Sequence, residues 1–164
     1  MIKITLPDGT IKEFAVNSTP MDVAKSISEG FARNVISANF NETTVETTTP
    51  LTTDGSLILY TFNDEGGKKA FWHSSAHVLA EAILSFYPKA KLTIGPAIDN
   101  GFYYDVDLGD AVISDKDFPS IEKKFLEIAR GKHEFSIRSV SKADALSLYK
   151  EENNEYKVEL IENL

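Results

Sequence analysis

No cysteine occurs anywhere in the 164 residues. Disulfides, thiolate metal sites and cysteine nucleophiles are therefore excluded within the chain, and any metal would need His, Asp or Glu ligands. Histidine is scarce, at three residues. No apolar run approaches the roughly 20 residues of a membrane span. The N-terminus, Met1-Ile2-Lys3-Ile4-Thr5-Leu6-Pro7-Asp8, lacks the extended apolar stretch of a signal peptide, so the expected compartment is the cytoplasm. Positive charge is also in deficit. Lys and Arg total 17 against 25 Asp and Glu, a formal net charge of −8. Phosphate contact is driven by Lys and Arg, so this balance does not advertise nucleic-acid binding. The pairs Lys68/Lys69, Lys89/Lys91 and Lys123/Lys124 can still touch a phosphate backbone, although a solvated surface is the simpler reading of each. What remains is the composition of a soluble globular protein, 42% hydrophobic and 26% charged, long enough for one domain or two small ones.

The chain opens in period 2. Ile2, Ile4 and Leu6 alternate with Lys3 and Thr5, and Asp8-Gly9 supplies a hairpin turn. A second strand is expected over 11–16, with Phe14 and Val16 on one face. Thr19 can cap a helix whose first position is Pro20, and Val23, Ile27 and Phe31 form its apolar stripe, with Gly30 near its end. Residues 35–40 and 57–62 read as further strands. The threonine-rich stretch 43–53 is either short strands with turns or a loop. Strand, hairpin, strand, helix and further strands is the order of a ubiquitin-like β-grasp. Asn63-Asp64-Glu65-Gly66-Gly67 is the best domain boundary. Beyond it a long helix is expected over 68–86, with Trp72, Ala76, Leu79, Ala80, Ile83 and Tyr87 on its buried face and Pro88 as its stop. Two strands, 92–98 and 101–106, are joined by a turn at Asp99-Asn100-Gly101. A helix opens at Asp117-Phe118-Pro119 and closes at Gly131, a strand follows over 135–140, and Ser141 with Asp144 caps another helix. Residues 158–164 are apolar and periodic.

The sharpest local feature is His73-Ser74-Ser75-Ala76-His77. Its two histidines stand at i and i+4 on one helix face, and Glu81 extends the ridge by another turn. Three readings compete. The imidazoles can simply pack at a domain surface. They can share a zinc ion, although the peptidase form of that motif needs Glu immediately after the first His, where Ser74 stands. Or they can recognise a polar substrate and move protons near neutral pH.

The segment Phe71-Trp72-His73-Ser74-Ser75-Ala76-His77-Val78-Leu79-Ala80-Glu81-Ala82 resembles the HxxxH helix of the editing domain in the threonyl-tRNA synthetase family. Ile94-Gly95-Pro96-Ala97-Ile98-Asp99-Asn100-Gly101-Phe102-Tyr103-Tyr104-Asp105 is similar to that family's next motif, and Tyr156-Lys157-Val158-Glu159-Leu160-Ile161 to a third. The N-terminal β-grasp is similar to the TGS module that precedes them. The resemblance implies an α+β chain: a TGS domain over 1–62, then part of an α/β-sandwich editing domain over 63–164. It implies a parent threonine–tRNA ligase of class II that charges tRNA(Thr) using ATP and removes serine attached in error. Serine lacks one methyl of threonine, and a missing methylene is worth only about 1–3 kcal/mol of discrimination. A second, hydrolytic pocket solves that problem.

By the same resemblance His73 contacts the terminal ribose, His77 supports the pocket, and Lys157 positions water or stabilises charge on the ester carbonyl. Gly95 and Tyr104 line the pocket. No metal is expected among these residues; the parent is expected to use ATP, Mg and a zinc ion in its catalytic core, and to dimerise through other domains. The partner implied is the 3′ end of tRNA(Thr). The family's site is completed by a Cys-x-x-x-His segment, which a chain without cysteine does not contain; His133, after Gly131-Lys132, matches no such motif. The chain therefore reads as truncated, with editing absent or severely reduced on its own. A stand-alone TGS-type ligand- or RNA-binding module is the alternative, and a His-pair metallohydrolase the third.

Overall fold

The computed structural model describes residues 1–131, 133 and 138–164. Two compact units divide between Trp72 and His73.

In the first unit, the alternation of Ile2 and Ile4 with Lys3 produces strand β1 (Ile2–Thr5), its isoleucines inward. The Asp8-Gly9 turn follows, with Gly9 at φ +83°, where a Cβ would be strained. β2 (Ile11–Phe14) returns antiparallel, Ile2 opposite Phe14. It stops earlier than the sequence suggests, and Val16 is exposed beyond it. Helix α1 (Pro20–Ile27) begins with a full capping box: the Thr19 hydroxyl accepts from the Asp22 amide, and the Asp22 carboxylate accepts from the Thr19 amide. The single expected helix is in fact two. Ser28 is extended, and its hydroxyl accepts from the Phe31 amide, so it ends α1 and caps α2 (Glu29–Ala32). The turn away from helical geometry leaves Ile27 exposed, and Ala24 takes the buried place beside Val23.

β3 (Val35–Phe40) and β5 (Gly55–Thr61) fall close to their expected positions, and the threonine-rich stretch yields one short strand, β4 (Thr43–Val45), followed by turns. The sheet order is β2-β1-β5-β3-β4, with β1 and β5 parallel and the other pairs antiparallel. This is the mixed sheet of a ubiquitin-like β-grasp. Its core joins Ile2, Ile4, Val23, Ala38, Leu51 and Leu57. Leu51 reaches it from the irregular stretch because its amide and carbonyl bond Ser18 and Asn17.

The long helix α3 (Glu65–Phe86) crosses the division between the units. It starts earlier than expected, so Glu65, Gly66 and Gly67 form its first turn. The glycines are needed there. A Cβ on Gly67 would collide with the Thr61 carbonyl, and one on Gly66 with the Tyr60 ring. The expected apolar stripe of α3 is observed, with Ala76, Ala80 and Ile83 buried, and Ala82 joins them.

In the second unit the two expected strands are broken into four. β6 (Lys91–Leu92) pairs with β9 (Val106–Asp107), and β7 (Ala97–Ile98) pairs with β8 (Gly101–Phe102). The ladder is interrupted around Gly95-Pro96, because proline has no amide to donate. Helix α4 (Phe118–Arg130) packs Ile121 against Ala82 and Ile83 of α3. Asp117 precedes it without capping it; its carboxylate instead accepts from the amide and hydroxyl of Ser114. The strand expected over 135–140 lies in part outside the described residues, and residues 138–140 are not strand. α5 (Lys142–Glu151) is capped by Ser141 as expected, and α6 (Glu155–Glu162) is capped by Asn154. No helix of the described residues is long and apolar enough to cross a membrane.

Candidate functional site

α3 presents His73 and His77 one turn apart. Their rings stand perpendicular with centroids 4.7 Å apart, and the two Nε2 atoms are 3.2 Å apart. Both side chains are exposed, while Ala76 between them is buried and brings the helix backbone close to its neighbours. Glu81, a further turn on, is exposed and stands outside the cavity that the histidines border.

That cavity measures about 330 Å³ and is lined by three elements of the second unit. α3 gives His73, Ala76 and His77. The interrupted ladder gives Thr93, Ile94, Gly95, Pro96 and Tyr104, and α6 gives Lys157. All five residues singled out from the sequence thus line one cavity, although 84 positions separate His73 from Lys157. Gly95 is required by a close approach: a Cβ there would run into the Tyr104 ring and lie 3.2 Å from the Ala76 methyl. The ring packs over the glycine and becomes a wall.

The Lys157 ammonium donates to the Thr93 carbonyl at 2.6 Å. Thr93 has its own amide and hydroxyl bound to the Asp105 carbonyl, which fixes the acceptor. An ammonium has three donors, so this bond leaves others for a guest. Burial lowers the Lys157 pKa from the ordinary lysine value. Burial also lowers that of His77, reinforced by His73 and then by Lys157. Burial raises that of the Tyr104 phenol, with Tyr149 adding to it. The arrangement therefore holds a neutral imidazole that can accept a proton, beside a cationic donor, on an otherwise apolar wall. That is suited to a polar, uncharged or partly anionic group undergoing proton transfer. A metal shared by the two imidazoles would need further ligands. Among the described residues no group of three or more His, Asp or Glu is placed to hold an ion.

Residues 2–61 match the TGS domain family. The whole chain aligns with the threonine–tRNA ligase of Flavobacterium psychrophilum at 68% identity over 164 residues, covering 25% of that protein. The ligase of Flavobacterium johnsoniae gives the same identity and coverage, and that of Cytophaga hutchinsonii is 49% identical over the same span. The chain carries a TGS domain and matches the N-terminal quarter of threonine–tRNA ligases. It spans about a quarter of the length of these curated relatives. Around this cavity, the sequence reading missed Thr93, Ile94, Pro96 and Ala76 as lining residues. Ile94, Pro96 and Ala76 lie inside the motifs already singled out. Thr93 had no signal of its own, since its part is played by a backbone carbonyl that any residue carries.

Proposed function

We propose that residues 1–62 are the TGS domain and residues 63–164 part of the editing domain of a class II threonine–tRNA ligase. The observation that carries this is the convergence of His73, His77, Gly95, Tyr104 and Lys157 on one cavity. The complete ligase joins threonine to tRNA(Thr) with ATP and Mg, holds a zinc ion in its catalytic core, dimerises, and works in the cytoplasm. Its editing site hydrolyses seryl-tRNA(Thr). Water adds to the ester carbonyl, the ribose oxygen leaves with a proton, and free serine and tRNA result. His73 contacts the terminal ribose and His77, kept neutral by burial, supports it. Lys157 positions the water or stabilises charge developing on the carbonyl oxygen. The Tyr104 wall over Gly95 sets the size of side chain admitted. The histidine and lysine side of the site lies in this chain, and the Cys-x-x-x-His side does not, so these 164 residues alone edit weakly or not at all.

In a threonine–tRNA ligase carrying this region, His73→Ala is expected to slow seryl-tRNA(Thr) deacylation by roughly 10²–10⁴-fold, the usual worth of a positioned acid–base group. Threonylation stays near normal. Unimpaired deacylation by that variant sinks the role given to His73.

A further inference from the structure

α6 carries Lys157 but is not held by a core. None of its residues is fully buried, and Tyr156 and Leu160 are exposed. Polar rungs hold its first turn against the β6–β9 ladder. Lys91 Nζ donates to Glu155 Oε1 at 2.8 Å, and the Tyr156 hydroxyl donates to Asp107 Oδ2 at 2.8 Å. Asn154 Nδ2 reaches the Leu92 carbonyl at 3.5 Å, and its Oδ1 accepts from the Lys157 amide. Lys91 and Asp107 are themselves paired across the ladder, so the rungs from two successive α6 residues land on one strand pair. The Lys91 ammonium also lies 6.0 Å from the centroid of the Tyr156 ring. The Asp107 carboxylate is fixed from behind, since its Oδ1 accepts from the Gly109 amide.

The four residues 154–157 are thus read against 91–93 and 107 one after another, and the last rung is the ammonium at Thr93. A lysine side chain has several free rotors, and an unanchored one spreads over many positions. A helix turn fixed in register removes much of that freedom before a substrate arrives. We propose that Tyr156 is a positioning residue of the editing site: through its bond to Asp107 it sets the register of α6 on the β6–β9 ladder and so places the Lys157 ammonium at the cavity. The inference rests on the editing reading above for its catalytic consequence, but not for its geometry.

His77 reports where the ammonium stands. The ionisable groups that share its cavity are His73, Lys157 and Tyr104. Tyr156→Phe alters no charge and keeps the ring. In the 164-residue chain, NMR titration of the three histidines is expected to show the His77 midpoint moving upward in Tyr156→Phe, the direction also expected of Lys157→Met. Combining the two adds nothing to Lys157→Met alone. A His77 midpoint unmoved in either single variant, or additive in the double one, overturns the proposal. A role confined to stability would lower the melting temperature and leave the midpoint in place. In a threonine–tRNA ligase carrying this region, Tyr156→Phe is expected to lower kcat for seryl-tRNA(Thr) deacylation roughly tenfold at unchanged KM, as misplacement of a reacting group does. An unchanged kcat there also counts against it. If the unmutated ligase shows no deacylation, the editing reading fails while the titration result stands.

Discussion

In residues 1–72, Ile4, Val23, Leu51 and Leu57 are at most 2% exposed and most of the sheet closes over them. In residues 73–164, the described side chains buried that deeply are Ala76 and Ala82, and Ile83 and Ile121 retain 6%. The contrast has a physical source. Five paired strands leave few backbone groups unsatisfied and bury one aliphatic face whole. Two-residue ladders cannot do this, so helix packing and side-chain bonds hold the second unit together. Small residues such as Ala76 and Gly95 bring backbone and ring close together there, and open interruptions leave room for a guest. The first unit is built to be stable, and the second to keep a largely apolar cavity with a few polar groups on its wall.

Three measurements test that contrast. The largest effect is expected for Leu57→Ala, which empties a fully buried site. It should destabilise the β-grasp unit by about 2–5 kcal/mol, read by chemical denaturation, and leave the histidine titrations unchanged. A loss much below 2 kcal/mol would show that this core collapses readily, and the contrast would weaken. Next comes Gly95→Ala. The added methyl forces the Tyr104 ring off its seat, an overpacking cost of about 1–3 kcal/mol. The Tyr104 resonances should shift, and deacylation by a ligase carrying the change should fall. An unshifted ring means the wall is not set by the glycine.

The smallest effect is expected from mild acid. All three histidines lie in the second unit, and His77 has a folded pKa depressed below 6.5. As pH falls below 6.5 the unfolded chain takes the proton first, so the second unit loses stability until the depressed value is passed. In the first unit, Asp8, Asp22 and Asp64 are lowered from 3.8 by hydrogen bonds. Their contribution is present above 3.8 and lost only as pH falls further. Hydrogen exchange across this range should show residues 73–164 loosening first. Simultaneous loosening of both units would contradict the assignment.

Local chemistry made much of the fold legible. The Thr19–Pro20 start, the Asp8-Gly9 turn and the Ser141 cap each depend on neighbours within four residues, and each was found where the sequence put it. What failed depended on tertiary choices. Ser28 can sit in a helix or cap a new one, and only packing decides. Strands 92–98 and 101–106 have the right composition, but Pro96 cannot donate to a ladder. For the site, the histidine pair was visible in helical spacing, while Gly95, Tyr104 and Lys157 came from motif resemblance. The rungs from α6 to Lys91 and Asp107 could not be seen, since 49 to 64 positions separate the partners.

The facing Nε2 atoms of His73 and His77 leave room for one hydrogen between them. When both rings are neutral and bonded to each other, one carries its proton on Nε2 and the other on Nδ1. The pair has a polarity, one sense of which can be exchanged for the other without any change in charge. A guest that separates the rings meets one N–H and one lone pair. A hydroxyl, which both donates and accepts, satisfies the two together; an ammonium, which only donates, leaves one of them unanswered.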